Sequence, residues 1–322
     1  MALARVSPTA FSLSLLHSLS RPFSSSSSPV LRPKGFSIAA ALSHGDPLEE
    51  GAVEEAPRPS SRLPWKPTCL YYTQGKCTMM NDTLHLEKFN HNLLMNLPVN
   101  ASAADKMKPQ KLDYILVLDL EGKVEILEFP VIMIDAQSME FIDSFHRFVR
   151  PTAMSEQRIR EYIEGKYGKF GVDRVWHDTA IPFEEVLREF EGWIRDHKLW
   201  KKEQGGALNG AAFVTCGNWD LKTKVPEQCK VSKIELPSYL MEWINLKDIY
   251  LNFYNRRATG MMTMMRELQM PIVGSHHLGI DDAKNIARIV QHMLADGAVM
   301  QITARRHPTT SEVKFLFKNR IR

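Results

Sequence analysis

Residues 114–121 read Tyr-Ile-Leu-Val-Leu-Asp-Leu-Glu, an uncharged apolar run closed by two carboxylates. So short an apolar run predicts a buried strand rather than a helix. Side chains alternate across a strand, so Asp119 and Glu121 project from the same face. Two carboxylates at the mouth of a buried strand repel each other, and a cation between them relieves the repulsion. Hard oxygen ligands of this kind suit Mg²⁺ or Mn²⁺. The competing reading is a solvated strand end, because D-x-E is a common string.

Outward from this strand, residues 112–302 carry the pattern of one α/β domain. Val124–Ile134 and Phe145–Val149 read as strands, and Ala211–Thr215 (AAFVT) as a short buried one. Glu184–Trp193 and Asp281–Leu294 have helical spacing. Strand runs followed by helices predict a mixed sheet flanked by helices. Two more motifs sit at element ends. Gly217-Asn218-Trp219-Asp220 directly follows AAFVT, and the carboxyl end of a strand is where α/β folds build sites. Asp220 as a plain helix cap is the alternative. Ser275-His276-His277-Leu278-Gly279-Ile280-Asp281-Asp282 opens the last helix, where a histidine and an acid can face one site. His276/Asp281 and His277/Asp282 both read H-x4-D, so spacing leaves the pair open.

Taken together, the strings LVLDLE, EILEFPV (Glu125–Val131), FVRP (Phe148–Pro151), GNWD, EWINLKDIYLNFY (Glu242–Tyr254) and HLGIDDAKNIARI resemble the DEDD exonucleases of the histidine-containing subclass. Within that subclass the chain resembles the enhanced-RNAi family, which includes the histone-mRNA 3′-exonuclease. The resemblance implies a ribonuclease-H-like α/β fold and metal-dependent 3′→5′ removal of nucleotides from RNA. It also selects His277 and Asp282 from the two registers. It implies two Mg²⁺ (or Mn²⁺) ions held by Asp119, Glu121, Asp220 and Asp282, with His277 as general base for the attacking water. Trp219 is expected to stack on a terminal base, or else to be a core tryptophan. A 3′→5′ DNA exonuclease and a non-catalytic RNA-binding protein on the same fold are the alternatives. The second would have lost a ligand, and all five positions are filled.

Residues 67–92 hold a compact second motif, Cys69-x7-Cys77-x7-His85-x5-His91. These are four ligands of the types tetrahedral zinc takes. His85 and His91 stand about 240° apart around a helix, so a loop must bring them together. Such a CCHH zinc-finger-like module, with Tyr71, Tyr72, Lys66, Lys76 and Lys88, is expected to meet RNA, or else to be structural. Its first half resembles the CCCH RNA-binding finger and its second the poly(ADP-ribose)-binding finger.

The remaining segments follow from composition. The first acid is Asp46, and ten of the first thirty residues are serine. Arginine and serine without acid over residues 1–45 predict a plastid transit peptide, with a mitochondrial address as the alternative. Residues 46–66 read as an acidic, proline-rich linker and 93–111 as a connector. Residues 303–322 read as a basic C-terminal tail. Without residues 1–45 the chain carries 37 basic and 37 acidic residues, so attraction to RNA must be local. The full chain has 322 residues, 44% hydrophobic and 24% charged, which excludes collagen-like and wholly disordered classes. Four cysteines exclude a disulfide scaffold, and no apolar run suffices for a membrane helix. The expected partner is RNA, structured and with a free 3′ end. No membrane partner is expected, and the oligomeric state is left open.

Overall fold

Residues 66–93 and 106–321 are described by the computed structural model. The expected transit peptide, nearly all of the linker and most of the connector lie outside the described residues. The apolar run forms β1 (Tyr114–Leu118), the central strand of an eight-stranded sheet. Its partners are β2 (Glu128–Asp135), antiparallel, and β5 (Ala211–Thr215), parallel. Outward from β2 come β3 (Phe141–Arg150) and the short β4 (Ile181–Pro182); outward from β5 comes β6 (Glu242–Asn245), parallel. The sheet is therefore mixed, as expected.

Alternation along β1 divides the core in two. Ile115 and Val117 face one hydrophobic cluster, and Leu116 and Leu118 face another. The first is filled by α8 (Gly279–Ala295) with residues of α2 (Glu156–Tyr167), α3 (Asp173–Thr179), α6 (Leu246–Tyr254) and α7 (Met261–Glu267). The second is filled by α4 (Phe183–Asp196) and α5 (Val225–Ser232).

Three expectations change. The strand expected from Val124 begins at Glu128. Residues before it form a tight loop, where Leu127 N–H donates to Glu121 O at 2.7 Å. Gly122 makes the loop possible, with φ of 124° and only 2.1 Å between a hypothetical Cβ and Glu125 O. Second, residues 303–322 are not a free tail. β7 (Ala304–Arg306) pairs with β6 and β8 (Val313–Phe315) with β7, because alternate residues there bury against the sheet. The sheet thus runs past the boundary expected at 302.

Third, the CCHH module does not stand apart on a connector. Leu70 enters the first core cluster. Tyr71 Oη donates to Asp178 at 2.5 Å, Lys76 Nζ to Thr179 O at 3.1 Å, and Lys284 Nζ to Thr68 Oγ1 at 2.9 Å. Tyr72 stacks on His91 with ring centroids 4.5 Å apart. Both tyrosines expected to meet RNA are engaged within the protein.

Candidate active site

The site forms where β1, β5 and the first turn of α8 converge. β1 and β5 are parallel, so both carboxyl ends lie on one edge of the sheet. Asp119 follows β1 directly, and Glu121 sits one bridge further on, opposite Glu128. From the other strand, Gly217 turns the chain at φ of 131°, and Asp220 opens a π-helical turn, Asp220–Lys224. Such turns recur at functional sites. Leu120 N–H donates to Asp220 Oδ1 at 3.0 Å, which binds this carboxylate to the β1 end.

α8 closes the site. Gly279 has no room for a side chain: a Cβ would stand 3.0 Å from Glu128 Cδ and 3.1 Å from both Asp119 O and Glu121 Cγ. The helix start therefore touches the end of β1 and delivers Asp282. One oxygen from each of Asp119, Glu121 and Asp282 lies within 4.8 Å of the others, with Asp220 packed beside them.

The electrostatics follow from that crowding. Burial, and then the charges of Asp220, Asp282, Glu121 and Glu128, push Asp119 well above the usual carboxylate range. Burial pushes Glu121 up to about 7 despite Lys166, whose ammonium lies 2.7 Å from Glu121 Oε2. Burial likewise pushes Asp220 up to about 6, against the Leu120 N–H and the charge of Lys247. Asp282 is raised by burial, against its bonds to His276 and to His277 N–H. An all-oxygen donor set this costly to ionise fits hard divalent cations, which replace the protons.

Both histidines reach Asp282. His276 Nδ1 lies 3.0 Å from each carboxylate oxygen, while His277 N–H donates to Oδ2 at 2.8 Å. Their rings stack at 3.9 Å. His277 adopts φ of 73°, uncommon for a residue with a Cβ, and the residue as a whole is exposed. The partial burial of its ring and the neighbouring His276 lower its pKa from the usual histidine value. Asp281, the acid of the other register, turns away from this set, accepting Ser275 N–H at 2.8 Å and lying 3.8 Å from Lys284. Trp219 lies next to Asp220 and is 45% exposed, so it is not a core tryptophan.

Sequence reasoning missed the group that holds this arrangement, Glu128. It is fully buried and accepts four bonds: His146 Nε2 at 3.1 Å, Tyr167 Oη at 3.1 Å, Gly279 N at 3.0 Å and Ile280 N at 2.8 Å. Burial raises its pKa, but His146 and the two amides outweigh burial and hold it low. His146 Nδ1 in turn lies 2.6 Å from Thr73 Oγ1 of the CCHH module. A lone Glu inside the apolar run ILEFPVIMI was the available signal. Lys166 was also missed; nothing in its local sequence marks it.

In the module, His85 lies in α1 (Thr83–Lys88) and His91 beyond its end, so a loop does bring the two together. Cys77 Sγ stands 3.6 Å from His85 Nε2 and 3.7 Å from His91 Nε2, and the two nitrogens are 3.0 Å apart. Cys69 Sγ completes a set whose ligand atoms all lie within 4.8 Å of one another. Tetrahedral zinc spaces sulfur and nitrogen ligands roughly 3.3–3.8 Å apart; both Cys77–histidine separations lie in that range, and the two nitrogens stand somewhat closer than it.

Comparison with known proteins gives one consistent picture. Residues 115–290 match the family described as Exonuclease (RNase_T). An uncharacterized exonuclease domain-containing protein of Arabidopsis thaliana is 62% identical over 82% of this chain and 78% of its own. The 3′-5′ exoribonuclease 1 of Rattus norvegicus is 33% identical over 61% of this chain. The match spans 57% of the rat protein's length. A solved 3′-exonuclease, described in 3′-end-specific recognition of a histone mRNA stem-loop, superposes with a TM-score of 0.53 at 28% identity. It covers 64% of this chain and 92% of that one.

Proposed function

The chain belongs to the exonuclease family, and from that membership we propose that it removes nucleotides one at a time from RNA 3′ ends. The enzyme is a 3′→5′ exoribonuclease, a hydrolase of phosphodiester bonds that releases nucleoside 5′-monophosphates. The observation that carries this reading is the convergence of Asp119, Glu121 and Asp282 oxygens beside Asp220. Asp119, Glu121, Asp220 and Asp282 hold two Mg²⁺ or Mn²⁺ ions. Divalent cations there supply charge stabilisation for the attacking and leaving oxygens. His277, whose pKa its surroundings lower, accepts the proton of the attacking water on its ring. Lys166 tethers Glu121 and the His277 carbonyl, at 2.7 and 3.3 Å, and so fixes the loop that carries the base. Trp219 offers its exposed face to a base.

The physiological substrate on this reading is a structured RNA with a free 3′ end, in ribosomal RNA maturation or small-RNA turnover. Residues 1–45 direct the protein into chloroplasts, and Cys69, Cys77, His85 and His91 hold one zinc ion. No helix among the described residues is long and apolar enough to cross a membrane.

The test is direct. Purified protein should shorten a 5′-labelled RNA from its 3′ end with Mg²⁺, and Asp119→Ala should abolish this. Equal degradation in EDTA would overturn the proposal. A fusion of residues 1–60 to a fluorescent protein should enter plastids, and elemental analysis should find zinc at one atom per chain.

A further inference from the structure

Beside Asp220, on the side away from β1, lies a cleft of about 460 Å³. It opens at the carboxyl ends of β5 and β6, which are parallel and paired through Thr215 and Asn245. Trp219 and Lys222 line it from the π turn, Asn245 and Lys247 from the end of β6 and the start of α6, and Phe315 and Arg320 from the last strand and the chain beyond it.

The lining has one sign of charge. Lys222, Lys247 and Arg320 form no ion pair with a carboxylate among the described residues, and no carboxylate lines the cleft. Asp248 stands behind it, engaged by Ile321 N–H at 2.8 Å. Two cations lie over one aromatic ring: Arg320 lies 4.0 Å and Lys222 5.6 Å from the Phe315 ring centroid. Lys247 Nζ donates to Thr259 O at 3.2 Å and keeps further N–H groups for a ligand. Such anchoring limits the rotamer freedom that binding would otherwise remove.

One further observation points to a ligand. Trp219 rests one face over Lys224 Nζ, 5.4 Å from the ring centroid, and remains 45% exposed. Asn245, buried in the cleft wall, is spent on its own helix: its oxygen accepts Lys247 N–H at 3.1 Å and its amide faces the Asp248 carboxylate. Cations and an open indole together fit a backbone phosphate with its base.

We propose that this cleft is a second nucleotide subsite, which holds the RNA strand upstream of the terminal nucleotide through its phosphate and base. The inference rests on the proposed function, since the strand must leave the metal site in some direction. It locates in β8 and its extension the local basic surface that a chain with balanced charge requires.

The probe is a fluorescein-labelled oligoadenylate of about eight nucleotides, followed by fluorescence anisotropy with the full chain in EDTA, where no hydrolysis intrudes. Lys222→Ala with Arg320→Ala should weaken binding about tenfold or more. The slope of log Kd against log salt should fall by roughly 1.4, about 0.7 for each lost contact on a single strand. Lys222→Arg with Arg320→Lys should retain binding, and thermal unfolding of both variants should match the parent. Unchanged affinity and slope in the alanine variant, or no binding by the parent protein, would overturn the subsite. Hydrolysis of the same oligomer by the parent in Mg²⁺ judges the proposed function separately.

Discussion

Replacing Glu128 with glutamine removes one charge and changes the side chain's size almost not at all. The carboxylate accepts two bonds on each oxygen: His146 and Ile280 N–H on one, Tyr167 and Gly279 N–H on the other. Either orientation of the new amide sets an N–H against one backbone N–H of α8. A buried donor left without an acceptor costs about 1–3 kcal/mol. A charge lost from a buried helix N-terminus costs up to about 2 kcal/mol more. Glu128→Gln should therefore destabilise the apoprotein by roughly 1–5 kcal/mol, a sizeable part of the roughly 5–15 kcal/mol that holds a native protein. The charge of Glu128 also raises Asp119 and Glu121, so its removal should let both ionise, and bind Mg²⁺, at lower pH. Urea unfolding in EDTA reads the first effect, and Mg²⁺ titrations between about pH 5 and 8 read the second. A midpoint and slope matching the parent protein would show that this carboxylate does not secure α8.

His277→Ala should lose about 10²- to 10⁴-fold in rate, far more than His276→Ala, measured by single-turnover release of nucleotide; equal losses would mean the wrong histidine was assigned. Burial pushes Glu121 up to about 7 and Asp220 up to about 6, above the ordinary values of 4.5 and 3.8. A raised carboxylate makes the apoprotein lose stability as pH climbs from the unfolded towards the folded value. Mg²⁺ replaces those protons, so the rise in Tm on adding Mg²⁺ should be larger at pH 8 than at pH 5.5; an equal rise would refute this linkage. Cys69→Ala with His85→Ala should lower the Tm of the whole nuclease and cut turnover of short and long RNA alike. Loss confined to long RNA would show that the module serves RNA binding and not the nuclease fold.

The fold was legible where patterning was strong. The run Tyr114–Leu118 and the helix expected over residues 281–294 are both elements of the structure, because an apolar stretch and a helical stripe leave few alternatives. The Asp119, Glu121 and Asp282 convergence was legible because D-x-E and HLGIDD each lie at an element's end. What stayed hidden is long-range. Glu128, His146 and Thr73 are separate in sequence, and only antiparallel pairing of β2 with β3 brings His146 across from Pro130. The CCHH spacing picked out four side chains that the fold does bring together, but not the docking of their module, since Leu70 reads as one apolar residue among tyrosines. The strands after residue 302 were hidden because three-residue edge strands rich in arginine and lysine resemble a solvated tail.

The four carboxylates come from three segments that are far apart along the chain, and the last rides on α8, the last helix among the described residues. During synthesis the chain passes through a long interval with Asp119 and Glu121 already emerged and Asp282 still unmade. Non-local pairing of this kind is also slow to form. The carboxylate set is therefore complete only once α8 has packed against the end of β1, so a polypeptide cut short before residue 282 would keep Asp119, Glu121 and Asp220 and still lack the site.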